Sequence, residues 1–487
     1  MDETQATERT KPRPRGADPT THKALLLAER YGTLEMGQIW GAEKTFDFSL
    51  YVQGVAALVM SEMYPDVVPP EHAREIADKA NLRHVSADRI RELELRGSHD
   101  VIAINTALEE VLSPEAAAHV NKAKTSADTT EPAKALQIKR SVDEIIVSLE
   151  NLRDITLERA FLDWSEVPHM DVTHWYDALP TVFGRPFVFY AEMLQFGIDE
   201  LARARQNSII GKWADATGNH HSATALGIDG IALQKEYCRK LGMGYMTAPA
   251  QIPGREFIYN IVTRMMMAAG TMQGLAKYIR WGRSHDVGLL KMPLGKKGSS
   301  GMPHKDMVGG NPDVEEQAGS YHHYMLGILT TAASTIPFNY GRDLEGSASD
   351  RINLEGMFKF GDHSIRRLAD VMSKLLLDEK RSVERFERTY GTTTSQRVMT
   401  YLTDRRRVER PLTRRDAHDL TGKKLAVEAY TEQRPYFEVC MEDETVRSMI
   451  SEEKLRELTD PFTYTGESKH IIRDVYNALH GKKTPLD

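Results

Sequence analysis

Two groups of residues in this sequence are equipped for chemistry. One is a single run, Lys296-Lys297-Gly298-Ser299-Ser300-Gly301-Met302-Pro303-His304-Lys305, which gathers hydroxyls and ammonium groups in a glycine-rich stretch. Such groups hold carboxylates or phosphates through charge-assisted hydrogen bonds, and glycine lets the backbone come close. The composition alone is that of an exposed connecting loop. The Gly-x-x-x-x-Gly-Lys-Ser/Thr spacing of a phosphate cradle is absent. The second group is dispersed: His99 and His174, imidazoles able to move a proton near neutral pH, and Arg342 with Arg351, forks shaped for carboxylate or phosphate. Each has a plainer reading beside this one. An isolated histidine is commonly structural, a helix arginine is commonly solvated or paired, and Thr125-Ser126 with Asp128 reads as a helix cap.

Long helices must position these residues. Val142, Ile145, Ile146, Leu149 and Leu152 keep the helical period, and Ile365, Leu368, Val371, Met372 and Leu375 keep it again. Alternating strands are scarce. Breakers at Pro65 to Pro70, Thr125 to Pro132, Pro168, Pro180, Pro249 to Gly254 and Pro293 to Pro312 mark where helices should stop. The expectation is an all-α fold: a loose leader at 1–28, an N-terminal helical domain at 29–124, a central long-helix bundle at 125–382 and a C-terminal helical domain at 383–487. Met265 to Met267 read as core filling, because Met adapts to irregular packing.

Composition narrows the function. The 487 residues are 41% hydrophobic and 27% charged, ordinary for a globular chain. Lys and Arg total 63 against 70 Asp and Glu, a net charge of -7, so no global positive field favours nucleic acid. Cys238 and Cys440 are too few for a disulfide framework or a four-thiolate zinc site. No apolar run reaches membrane-spanning length, and the leader lacks a signal core, so a cytoplasmic location without membrane partners is expected.

The run Gly298-Ser-Ser-Gly-Met-Pro-His-Lys305 resembles the signature Gly-Ser-Ser-x-Met-Pro-x-Lys-x-Asn of the fumarase and aspartase superfamily. Other segments follow in the superfamily's order: Arg30-Tyr31 with Ile39-Trp40, His99-Asp100-Val101, Thr125-Ser126-Ala127-Asp128, Thr173-His174 with Ala178, Pro180, Thr181 and Gly184, and Arg342-Asp343 with Ser347 and Arg351. Within the superfamily the chain is most similar to the adenylosuccinate lyase family. The resemblance implies β-elimination of fumarate from a succinylated amine. Adenylosuccinate would yield AMP, and the succinylated carboxamide ribotide of purine synthesis would yield its carboxamide ribotide.

By that resemblance Ser299 is the base and His174 the acid, with His99 as second candidate. Lys305 and the loop's backbone amides would stabilise the Ser299 alkoxide. The glutamate holding the acid histidine falls on Glu316, with Glu315 as the fallback. Thr125, Ser126, Ser300, Lys305 and Asn311 would meet the succinyl carboxylates. Arg30, Tyr31, Asp100, Gln251, Arg342, Ser347 and Arg351 would line the rest of the substrate, the arginines facing a phosphate. The resemblance also implies a homotetramer with sites shared between subunits, and it implies no cofactor and no metal. The rival readings are a divergent lyase acting on another succinyl amine or on nitrosuccinate, and a helical scaffold that has lost catalysis.

The pattern is departed from in three places. Four extra residues separate Lys305 from Asn311-Pro312, Trp175 and Tyr176 are bulky where the family has smaller or amide residues, and Gln251 is displaced by one position.

Overall fold

Five helices of 22 to 32 residues frame the molecule: α1 (Ala127–Glu158), α2 (Arg185–Ser208), α3 (Glu256–Arg283), α4 (Asp313–Ser334) and α5 (Glu345–Lys374). The computed structural model describes residues 30–41, 43–294 and 301–486, so the leader at 1–28 and both Ser299 and Ser300 lie outside the described residues. Each long helix packs on the next, and α5 returns to α1, closing a ring. The apolar period explains why. Val142, Ile145, Ile146, Leu149 and Leu152 on α1 are fully buried, as are Leu368, Met372 and, just past the end of α5, Leu375.

Chain direction alternates from α1 to α5, and α5 runs parallel to α1 where the ring closes, which gives the bundle two distinct ends. Asn260 near the start of α3 donates to Ser208 at the finish of α2, and Arg283 at the finish of α3 pairs with Glu315 at the start of α4. The starts of α1, α3 and α5 therefore share one end, called here the head end. Their finishes share the other. At about 1.5 Å per residue, α1 alone holds the two ends roughly 48 Å apart.

The large core runs without interruption from Met36, through the helices preceding α1, into the five-helix ring. A second, separate core spans Val398 to Leu458. Helix α6 (Glu379–Glu387) leads toward it, and the last helix, α7 (Ser468–Leu479), comes back to the large core, where Ile472 is fully buried and Tyr476 stacks on Phe161 at 4.5 Å. No helix of the described residues is long and apolar enough to cross a membrane.

Two elements differ from the sequence expectation. Pro132 does not stop a helix: α1 begins at Ala127 and continues through it. A proline there deprives the carbonyl four residues earlier of its helical donor, and the Tyr237 hydroxyl faces that Asp128 carbonyl at 3.5 Å. Between α1 and α2 the chain forms an antiparallel hairpin, β1 (Pro168–Thr173) and β2 (Tyr176–Val182). A register shift between Met170 and Val172 breaks the alternation that would have announced it.

Candidate active site

At the head end, four of the expected residues, Asp100, Arg342, Ser347 and Arg351, line one cavity of about 340 Å³ together with Glu131, Lys134 and Asp350. His99 caps the helix Asp100–Glu109, and its Nδ1 lies 2.8 Å from Asp100 Oδ1. The other carboxylate oxygen accepts from Arg351 Nη2 at 2.8 Å. The cap itself is the Val101 amide donating to the same His99 Nδ1 at 3.4 Å. Burial pushes the Asp100 carboxyl up, but the bonds from Arg351 and the Val101 amide and the charges of His99 and Arg351 outweigh it and hold it below the usual range.

The same cavity has a second charged set. Arg255 Nη1 donates to Asp350 Oδ2 at 2.6 Å, and Lys134 Nζ donates to Glu131 Oε1 at 3.0 Å. Burial raises the Glu131 carboxyl, while Lys134, Arg255 and Arg342 together lower it further, so it stays ionised. Arg342 Nη1 donates to Gln251 Oε1 at 3.2 Å, which seats the displaced Gln251 beside the cavity. Thr125 and Ser126 precede α1 by two residues and one, a turn ahead of the lining residues Thr130 and Glu131. The Thr125 amide is tied to Asp128 Oδ2 at 2.8 Å, and the buried Asp128 is paired with Lys212.

Arg30 and Tyr31 stand apart from this set. The Tyr31 ring packs on Phe360 and edge-on to His363 of α5, at 5.5 and 5.8 Å. Phe360 lies nine residues beyond Arg351, roughly 13 Å along the helix axis.

The opposite end holds the hairpin. His174 and Trp175 are its two turn residues, flanked by the Thr173 and Tyr176 pair, with φ of 53° and 66°. Positive φ at both positions suits the twist of a two-residue hairpin, but residues bearing a Cβ resist it at a cost of about 1–3 kcal/mol each. The turn leaves His174 exposed, on the wall of a cavity of about 630 Å³ between the hairpin, the start of α2 and the start of α7. Asp171 lines the same cavity, and burial raises its carboxyl despite the Val172 amide and the Arg185 and Arg385 charges. Beneath the hairpin the buried His169 places Nε2 3.2 Å from the Tyr278 hydroxyl, and burial, with the Arg385 charge, pushes its imidazole down to about 3.

The signature segment reaches this same end. Pro303–Val308 forms a 3-10 turn, closed by the Gly310 amide donating to the Lys305 carbonyl at 3.1 Å. The four extra residues are absorbed in this turn and in Gly309 and Gly310, whose φ of 74° and 85° are open to glycine. Asn311 is thereby brought back to Lys305, whose Nζ donates to Asn311 Oδ1 at 3.1 Å. The two glutamates part company: Glu315 is buried and bonded to Arg283, while Glu316 is exposed and meets Arg280 at 3.3 Å. Within one chain, then, His174, Lys305, Asn311 and Glu316 collect at the hairpin end, and His99, Asp100, Thr125, Ser126, Gln251, Arg342, Ser347 and Arg351 at the head end.

Sequence reading missed Glu131, Lys134, Arg255 and Asp350 at the head end, and Trp281 and Arg385 beneath the hairpin. The only signal available for the first four was their spacing near motif residues on α1, α3 and α5, and none was available for the others.

The comparisons agree with this architecture. The "Lyase" family model matches residues 32–320, more than half of the chain, and the "Adenylosuccinate lyase C-terminus" model matches residues 391–475, which embrace the second core. Similar curated proteins include adenylosuccinate lyase of Methanocaldococcus jannaschii, 28% identical over 93% of this chain and 96% of its own, and that of Bacillus subtilis, 28% identical over 91% and 98%. Among solved structures, a fumarate lyase from Mesorhizobium sp. BNC1 superposes with a TM-score of 0.80 at 19% identity, covering 93% of this chain and 99% of its own. The 3-carboxy-cis,cis-muconate lactonizing enzyme of Pseudomonas putida superposes at 0.79 with 20% identity, over 93% and 98%. These two share the fold. A profile match over more than half of the length, followed by the matched C-terminal unit, places this chain in the lyase family, in its adenylosuccinate lyase branch.

Proposed function

We propose that this chain eliminates fumarate from adenylosuccinate to give AMP, and from the succinylated carboxamide ribotide by the same chemistry. The observation that carries the nucleotide reading is the head-end cavity, where Arg342, Ser347 and Arg351 come together. Guanidinium forks suit a phosphate, and Arg351 is exposed enough to exchange Asp100 for a ligand oxygen.

In this reading Ser299, as its alkoxide, takes the proton from the carbon beside the carboxylate. Lys305 and Asn311, already paired, hold the carboxylate on which negative charge develops. His174 gives its proton to the departing nitrogen as the carbon–nitrogen bond breaks, and the electron pair left by the proton forms the fumarate double bond. Glu316 supports the imidazole. Its contact with Arg280 is a solvent-screened pair that is readily exchanged, whereas Glu315 is locked to Arg283.

The two residue groups lie at opposite ends of the bundle, so a complete site needs more than one copy. Phe189, Met193 and Phe196 form an exposed apolar stripe along α2, which suits a side-by-side homotetramer. Antiparallel neighbours would then set a head end against a hairpin end. The test pairs Arg351→Met with His174→Gln, each strongly impaired alone when adenylosuccinate is supplied well below the raised KM of Arg351→Met. Unfolded together and refolded, they should regain turnover through mixed sites. No recovery, with mixed oligomers present, defeats the shared-site reading, and full activity of Ser299→Ala defeats the base.

A second reading keeps the elimination and changes the leaving group, another amine or nitrite, because Trp175 and Tyr176 stand 64% and 80% exposed beside His174. Turnover of argininosuccinate or nitrosuccinate ahead of adenylosuccinate would establish it.

A further inference from the structure

His174 adopts a backbone conformation that a residue with a Cβ keeps only when its surroundings impose it, and so does Trp175 after it. The imposing contacts lie on α6 and α3. The Arg385 guanidinium of α6 donates to Asp177 Oδ1 on β2, three residues past His174, and its side chain is only 12% exposed. It also lies over the Trp281 ring of α3 at 5.1 Å. The Trp175 ring packs on that same Trp281, with centroids 5.5 Å apart and planes 37° apart.

One guanidinium is therefore fixed between a carboxylate of the hairpin and the indole that seats the turn. A turn earlier on α6, Ser382 donates to the Pro168 carbonyl at 2.5 Å, so the helix grips the hairpin at its base as well. This is unlike a solvent-screened surface pair. The guanidinium combines a desolvated charge contact with a stacked face, a combination that lysine cannot reproduce. Its Nη1 is buried without a hydrogen-bond partner among the described residues, a desolvation cost that a merely stabilising contact would avoid by leaving that group in water.

We infer that Arg385 is a positioning residue for the elimination: through Asp177 and Trp281 it holds the His174–Trp175 turn in the left-handed conformation that presents the imidazole to substrate. The inference rests on His174 being the proton donor. Its consequence is a kinetic signature, since substrate contacts stay in place while the proton donor swings out of line. A misplacement of about 1 Å can cost on the order of 100-fold in rate.

Full-length, assembled Arg385→Met is expected to lose about 10- to 100-fold in kcat on adenylosuccinate, with KM within about twofold. Arg385→Lys should recover part of the loss. Asp177→Asn, which takes the charge out of the same contact at an exposed strand position, should reproduce part of it and serves if Arg385→Met does not fold. The double variant should be no slower than Arg385→Met. His174→Gln separates the two readings. If it turns over normally, the donor assignment falls and this inference with it. If it is inactive while Arg385→Met and Asp177→Asn keep the parental kcat, or lose only thermal stability, the positioning role alone is overturned.

Discussion

At the head end, Asp100 is answered by His99 and Arg351, and Asp350 by Arg255, all around one cavity. At the hairpin end, His174 stands exposed on a strained turn, without a hydrogen-bond partner among the described residues. The head end is prebuilt for binding: its charges are already paired, and a ligand anion replaces one partner with another. The hairpin end is prebuilt for placement, with rigid support below the turn and an unengaged imidazole above it. Under the proposed function, binding and bond cleavage fall to different stretches of chain, and kinetics can tell them apart.

The largest expected effect belongs to the hairpin end. His174→Gln removes the proton donor while keeping a polar side chain of similar reach, and kcat should fall by about 10²- to 10⁴-fold with KM nearly unchanged. Steady-state fumarate release measures this directly. A parental kcat would break the comparison, because the hairpin would then carry no chemistry.

Arg351→Met should act on the other constant. A charge-assisted hydrogen bond is worth about 1.5–3 kcal/mol, so KM is expected to rise by about 10- to 150-fold, with kcat changing far less. A variant that lost kcat at constant KM would reverse the assignment of the two ends. Arg342→Met, which also frees Gln251, sharpens the same comparison.

The division itself was only half legible in the sequence. Helical periodicity on α1 and α5 reports burial directly, so residues such as Ile145 and Leu368 could be placed in the core by counting. Motif order supplied the side chains that the proposed function assigns to the chemistry. It could not report that His99 and His174 sit at opposite ends, because distance along a helix bundle depends on which way each helix runs. The hairpin was hidden by its register shift and by the aromatic turn, which lacks the Asn-Gly or Asp-Gly pair that usually marks such a turn. Pro132 misled for a different reason: the carbonyl it leaves unpaired faces Tyr237, a residue more than a hundred positions away. Arg385 had no local signal at all, since its partners come from β2 and α3.

The smallest expected effect separates the ends by their response to acid. His169, under the hairpin, is buried, and its imidazole is pushed down to about 3, whereas an unfolded histidine titrates near 6.5. Between those values the unfolded chain binds a proton that the folded chain does not. Stability is therefore complete above about pH 6.5 and is lost as the pH falls toward 3, by at most about 1.4 kcal/mol per unit. The head-end carboxylates of Asp100 and Glu131 have lowered pKa values and begin to cost stability only below the ordinary carboxylate range. Among these three groups, mild acid should thus act on His169 first. In His169→Phe the ring stays packed near Phe183, so the loss of the Tyr278 contact lowers Tm at both pH values alike. The drop in Tm between about pH 7 and about pH 5 should be smaller in the variant than in the parent. Because this compares two differences, the constant destabilisation cancels, and an unchanged drop would mean that His169 titrates as it does in the unfolded chain.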